Sequence, residues 1–76
     1  VAHEALPHLM KLIRESDKPG ARWHAAWMIP NMSPLTWDEI YALEELALVE
    51  EDEHIRNALE MAVERCEWAL VNGAGE

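Results

Sequence analysis

The sequence has little of the chemistry that cross-links small proteins, binds phosphate or crosses membranes. Its single cysteine, Cys66, excludes an intrachain disulfide and is typical of a reducing compartment, so we expect a cytoplasmic protein. The three glycines are isolated or terminal, so the chain has no glycine-rich phosphate-binding loop. No apolar run approaches the roughly 20 residues that span a bilayer, and no charged-then-apolar leader opens the chain. We therefore expect neither a membrane span nor a secretion signal.

Positive charge is scarce and unevenly placed. The 76 residues carry 6 Lys and Arg against 15 Asp and Glu, which gives a formal net charge of −9. Residues 1–35 hold four basic and three acidic residues, a balance of +1, whereas residues 36–76 hold two arginines and twelve acidic residues, a balance of −10. An acidic chain repels nucleic-acid phosphates and anionic membranes. We expect no direct binding to either, and instead a solvated acidic surface or one that meets a basic partner protein.

Apolar residues recur at helical spacing in four segments, and no segment alternates in the manner of a strand. The segments span about residues 4–16, 19–32, 37–50 and 52–71. Since a proline disfavours helix at the residue before it, Pro30 should end or bend the second segment near Ile29. The sequence therefore predicts an all-α fold in a single helical domain over residues 1–76.

Several helix ends carry recognisable capping residues. Thr36 with Glu39 three residues later has the pattern of a capping box at the start of the third segment. Ser16 or Asp17 is placed to cap the second segment. Gly73 is placed to stop the fourth.

The first half of the chain matches the second half when Leu6 is aligned with Ile40. We call this alignment the repeat register. It pairs apolar positions Leu9 with Leu43, Leu12 with Leu46, Ala25 with Leu59 and Ile29 with Val63, and it pairs Arg22 with Arg56 just after an acidic corner in each half. We predict two tandem antiparallel helical hairpins, about 4–32 and 37–71, joined by a linker over 30–36. A generic four-helix bundle is the alternative, because it satisfies the same apolar stripes.

The repeated unit resembles the helical hairpin of the HEAT-repeat family over nearly the whole chain. The resemblance is carried in the first copy by Leu6-Pro7-His8-Leu9, Asp17, Ala21-Arg22 and Ala25-Ala26, and in the second by Asp52, Ile55-Arg56 and Ala58-Leu59. It implies a stack of two hairpins, in which Asp17, Arg22, Asp52 and Arg56 would help to tie neighbouring hairpins together.

Catalytic and metal-binding patterns are weak in this sequence. Glu51 and His54 form a single Glu-x-x-His, whereas a di-metal carboxylate bundle needs two such motifs and two further glutamates. Cys66 lies on an apolar stripe without a histidine at helical spacing, so its thiol should be buried and inert. The acidic run Glu50–Glu53 is predicted to lie on polar faces. We predict no metal site, no cofactor and no enzymatic activity.

Two tryptophans lie behind the predicted inward stripe of the second segment. At about 100° per residue, Ala25, Met28 and Met32 fall within about 40° of Ala21, which defines that stripe. Trp23 falls at about 200° and Trp27 at about 240°, on the opposite side.

The fourth segment repeats this arrangement with Met61 and Trp68. Measured from Ile55, Met61 lies at about 240° and Trp68 at about 220°. Such residues either pack laterally, helix two against helix four, or form an exposed aromatic patch of the kind enriched at binding hot spots. Trp37, beside the cap Thr36, is expected to close the linker over the core.

We predict a non-catalytic protein–protein interaction module. Its docking surface would comprise Trp23, Trp27, Met61 and Trp68. An acidic surface of Asp38, Glu45 and Asp52 would orient a basic partner and speed its capture. One alternative is an acidic inhibitor that mimics nucleic acid and occupies the basic groove of a nucleic-acid-binding protein. Another is a structural subunit or fragment of a larger helical assembly, including a homodimer.

Overall fold

Four α-helices form the fold in the computed structural model, which describes residues 5–32 and 35–73. The helices are α1 (Ala5–Glu15), α2 (Pro19–Met28), α3 (Trp37–Val49) and α4 (Glu53–Asn72). A short 3-10 turn, Ile29–Asn31, follows α2, and these residues contain no strand. The predicted all-α class is confirmed.

The end of α2 lies where the proline predicts it. The α-helix stops at Met28 and the chain continues as the 3-10 turn that contains Pro30. Proline has no amide hydrogen and its ring clashes with helical geometry at the preceding residue, so the α-helix cannot continue through it.

Side-chain caps fix the start of α3 as predicted, and a glycine closes α4. The Thr36 hydroxyl accepts from the Glu39 amide at 3.2 Å, and the Glu39 carboxylate accepts from the Thr36 amide at 2.8 Å. This reciprocal pair is the predicted capping box. At the other end of the chain, the Gly73 amide donates to the Ala69 carbonyl at 2.9 Å and follows the last residue of α4.

The predicted cap of α2 is wrong. Lys18 occupies the N-cap position, and no side chain caps the helix there. The Ser16 hydroxyl instead accepts from the Lys18 amide at 3.2 Å, which satisfies the turn before the helix. Asp17 is exposed. Pro19 begins the helix without needing a capped amide, because its nitrogen carries no hydrogen.

Helices that are adjacent in sequence pack together, and the two pairs meet through their second helices. α1 packs against α2, α3 against α4, and α2 against α4, whereas α1 and α3 touch only lightly. All four helices contribute to one cluster of buried side chains, which has Ile13, Ile29, Leu35, Ile40, Leu43, Ile55 and Leu59 at its centre. None of the helices in the described part of the chain is long and apolar enough to cross a membrane.

The repeat register also relates the helix boundaries. It aligns the end of α1, Glu15, with the end of α3, Val49, and the start of α2, Pro19, with the start of α4, Glu53. The two turns therefore occupy equivalent positions in the two halves. We call α1 with α2 the first pair, and α3 with α4 the second pair.

The inward stripe predicted for α2 is right for Ala25, which is buried, and for Met32, which packs against the core, but wrong for Met28. Met28 is 47% exposed, and the buried residues are Ala25, Ala26 and Ile29. Their centre lies about 90° around the helix from Ala21. Because α2 packs against both α1 and α4, a broad arc of its surface is buried. A helical-wheel prediction that assumes one packing partner does not give this arc.

Candidate protein-binding face

The two tryptophans of α2 have different environments. Trp23 is 44% exposed, whereas Trp27 is half-buried and packs against the core cluster. Their rings make an edge-to-face contact with centroids 5.8 Å apart and planes at 67°. The Trp27 indole nitrogen is buried and finds no acceptor among the described residues. Trp23 is therefore partly open to solvent, while Trp27 packs behind it against the core.

On α4, Met61 and Trp68 lie on the face opposite the buried stripe. They are seven residues apart, which places them within about 20° of each other around the helix. Both are exposed, and Trp68 is 67% exposed. α2 and α4 do pack against each other, but Trp68 with this exposure lies outside that contact.

The docking residues form a line and not a single patch. Trp23 borders a shallow cleft of about 370 Å³ with His54 and Ile55 at the start of α4. His54, Met61 and Trp68 recur every seven residues on one side of α4, so Met61 lies about 10 Å and Trp68 about 21 Å beyond His54 along the helix. We call Trp23, Met61 and Trp68 the apolar line, and Trp27 does not belong to it.

A row of glutamates runs beside the apolar line on α4. Glu53, Glu60 and Glu67 recur every seven residues, so they share one side of the helix. Glu64 lies three residues after Met61 and four before Trp68, the spacings at which helical neighbours face each other. Glu53, Glu60 and Glu64 are exposed and Glu67 is half-buried. We call these four residues the glutamate row, and its seven-residue period was readable in the sequence.

The acidic residues predicted as the orienting surface lie outside helix α4. Asp38 and Glu45 are exposed on α3, and Asp38 lines a cleft that also involves α1. Asp52 is half-buried and caps α4, where its carboxylate accepts from the His54 amide at 2.9 Å and the Ile55 amide at 3.2 Å. The structure thus gives Asp52 a capping role and places the glutamate row beside the apolar line.

Sequence reasoning missed Glu50, the one buried charged residue in the described part of the chain. The prediction that it lies on a polar face is wrong. One carboxylate oxygen accepts from the Arg22 guanidinium of α2, and the other accepts from the Asp52 amide at 3.0 Å. Glu50 follows the last residue of α3, so this ion pair links the first pair of helices to the second.

The two repeated arginines both bond to backbone carbonyls near the turns. The Arg22 Nε donates to the Ile13 carbonyl at 2.6 Å, and the Arg56 Nη1 donates to the Glu50 carbonyl at 3.2 Å. Arg22 thus holds α1, α2 and the turn after α3 together. Its carboxylate partner is Glu50, whereas Asp52 is structural through its cap of α4 and Asp17 is exposed.

The role predicted for Trp37 is wrong. Trp37 is exposed and its ring lies 6.1 Å from that of Tyr41, one turn further along α3. The residue that closes the linker is Leu35, which is buried in the core together with Ile40. Leu35 precedes the cap and Ile40 is the fourth helical residue, so the two occupy the positions of a hydrophobic staple.

Reactive groups are few in this structure. Burial raises the pKa of the Cys66 thiol, which keeps it protonated and unreactive near neutral pH. Within residues 5–32 and 35–73, no three His, Cys, Asp or Glu side chains cluster as metal ligands would.

The chain matches no protein-family model, no curated protein and no solved structure.

Proposed function

We propose that this protein is a non-catalytic interaction module whose α4 face binds a basic amphipathic helix of another protein. The observation that carries the proposal is the apolar line of α4 running beside the glutamate row. Met61 and Trp68 supply apolar surface, and the glutamates supply charge along the same four turns.

The apolar part of the proposal rests on the exposure of Trp68. Surface tryptophans are enriched at binding hot spots, because one ring buries a large area and loses little conformational freedom. Covering a tryptophan of this exposure removes a substantial apolar area from water, at about 25 cal/mol per Å². Met61, two helical turns earlier, has a flexible side chain that adapts to the partner's shape.

The charged part of the proposal rests on the glutamate row. Glu53 and Glu67 are fourteen residues apart, which corresponds to about 21 Å along α4. A partner helix of about four turns, with apolar residues at heptad spacing and lysines or arginines along one side, matches this length and charge. The opposite charges would steer its approach and fix its orientation.

Two wider expectations belong to this proposal. We infer a HEAT-like stack, supported by the contact between the second helices α2 and α4 and by the matching turns. We also infer a cytoplasmic setting, which suits a buried free thiol at Cys66.

The test uses a synthetic peptide of about five helical turns with leucines on one face and lysines on the other. Binding is measured by isothermal titration calorimetry for Trp68→Ala and for its matched control Trp37→Ala, which removes another exposed tryptophan from α3. Trp68→Ala is expected to weaken binding about 30-fold or more, as for a hot-spot residue, and Trp37→Ala less than about 3-fold. Circular dichroism checks that both variants keep the helical content of the parent.

Equal effects of the two substitutions would overturn the proposal. The proposal would also be overturned if neither substitution changed the peptide affinity and the affinity fell steeply with salt. The chain would then act only as a polyanion. That second result would favour the nucleic-acid mimic over the helix-binding module.

A further inference from the structure

We propose that copies of this chain associate head to tail, with the free side of the second pair binding the free side of the first pair of another copy. The surfaces concerned are separate from the apolar line of α4. One residue, Glu60, belongs both to the glutamate row and to the surface described below, so the test uses Leu12 and Leu48, which lie outside the face proposed above.

The first observation is a burial difference at positions that the repeat register aligns. Ala62 of α4 is fully buried, whereas its counterpart Met28 on α2 is 47% exposed. Leu46 of α3 is buried, whereas its counterpart Leu12 on α1 is 40% exposed. Ala58 is buried and its counterpart His24 is exposed.

These differences follow from the order of the helices. α4 packs against α2, so this side of the second pair is covered by the first pair. The matching side of the first pair has no neighbouring helix within the described residues. Leu12 and Met28 thus lie where a further pair of helices would cover them.

The second observation concerns the side of the first pair that faces the second pair, and the equivalent side of the second pair. Met10 and Arg14 of α1 line a cleft together with Asp38 and Ala42 of α3, so this side of the first pair faces the second pair. The counterparts of Met10 and Arg14 on α3 are Glu44 and Leu48. Both are exposed, and Leu48 is 82% exposed.

The free side of the second pair is an open apolar cleft with an acidic border. The cleft measures about 450 Å³ and is lined by Glu44, Ala47, Leu48, Glu60 and Val63. Glu60 is exposed although its counterpart Ala26 is fully buried in the core. We call Glu44, Leu48 and Glu60 the acidic end.

The free side of the first pair carries basic groups around its apolar residues. His8, Lys11 and Leu12 share a shallow cleft of about 330 Å³, which Glu15 and Ser16 border. His24 is exposed on the neighbouring helix. We call His8, Lys11, Leu12, His24 and Met28 the basic end.

The two ends complement each other in position, and the charge of Lys11, which shares its cleft with Glu15, is opposite to the charges of Glu44 and Glu60. Within one molecule, Arg14 of the first pair lines a cleft together with Leu46 of the second pair. Repeating that contact between molecules would set Leu48 against Leu12, with Glu44 and Glu60 near the basic end. Because the contact joins two different surfaces, it leaves one acidic end and one basic end of each dimer open and continues into chains unless the rotation closes a ring.

The test blocks each end separately. Leu12→Glu places a negative charge on the basic end, and Leu48→Lys places a positive charge on the acidic end. Val71→Lys is the matched control, because Val71 is exposed on α4 away from both ends. Mass is measured by sedimentation equilibrium over a wide range of concentrations.

The wild-type protein and Val71→Lys are expected to exceed twice the 8.7 kDa chain mass as concentration rises. Each end variant alone should remain a monomer. An equimolar mixture of the two should associate again, because each variant retains the end that the other has lost and the two introduced charges are opposite.

Three results would overturn the proposal: a wild-type monomer at every concentration, an end variant that still dimerises alone, or a mixture that fails to pair. If Leu12→Glu loses its circular dichroism signal, Lys11→Glu at the same end replaces it, since Lys11 is exposed and its exchange leaves the core untouched.

Discussion

Replacing Glu50 by glutamine should lower the free energy of unfolding by about 2–3 kcal/mol, because the carboxylate accepts from two donors, the Arg22 guanidinium and the Asp52 amide. Glutamine keeps the shape but has one acceptor oxygen, so its amino group must face one of these donors. A hydrogen bond to a charged group contributes about 1.5–3 kcal/mol, and leaving a buried donor unpaired adds to the loss.

The side-chain exposures set the upper limit of this effect. The Glu50 side chain is 4% exposed, but that of Arg22 is 20% exposed and can recruit water when its partner is lost. The cost should therefore stay below the about 3–5 kcal/mol of a fully buried ion pair that loses one member. In a domain of this size each kcal/mol lowers Tm by about 4–8 °C, so we expect a decrease of about 10–20 °C.

The assay is urea denaturation followed by far-UV circular dichroism, at a dilution that keeps the chain monomeric. Glu51→Gln is the matched control, because it removes the same charge from the next residue, which is exposed. It should change stability by no more than about 0.5 kcal/mol. Equal losses in the two variants would show that net charge, and not the buried link between Arg22 and Glu50, determines the result.

Two further predictions test the core. Leu43→Ala should lower the free energy of unfolding by about 2–5 kcal/mol, because Leu43 is buried. Leu48→Ala on the same helix should have little effect, because Leu48 is exposed. Both are measured by urea denaturation at low protein concentration. Comparable losses would contradict the assigned burial. Because burial raises the pKa of its thiol, Cys66 should react slowly with a disulfide reagent in the folded protein and quickly in urea. Equal rates in both states would show an accessible thiol.

Most features decided by neighbouring residues in the chain were predictable from the sequence, although the predicted side-chain cap of α2 was wrong. Thr36 and Glu39 are three residues apart and cap the same helix, so their pairing needs no tertiary information. Pro30 ends α2 through its own ring, and Gly73 follows α4 as its residue type predicts. Helix class and boundaries follow from such local chemistry.

Features decided by contacts between helices were not predictable. Trp23 and Trp27 are one turn apart on the same side of a helical wheel, yet only Trp27 packs against the core. The sequence predicts Glu50 as part of a solvated acidic corner, but in the fold α2 places Arg22 in contact with its carboxylate. Met28 is exposed because the side of α2 that carries it lies outside the contacts with α1 and α4.

The most direct test of the proposed function is a two-dimensional nitrogen–proton NMR titration of the protein with the leucine–lysine peptide. The chain has four tryptophans, and each gives a separate indole signal. We predict that the Trp68 signal shifts most, that the Trp23 signal follows, and that the Trp37 signal stays in place. A shift confined to Trp37, or equal small shifts of all four, would contradict binding on the α4 face.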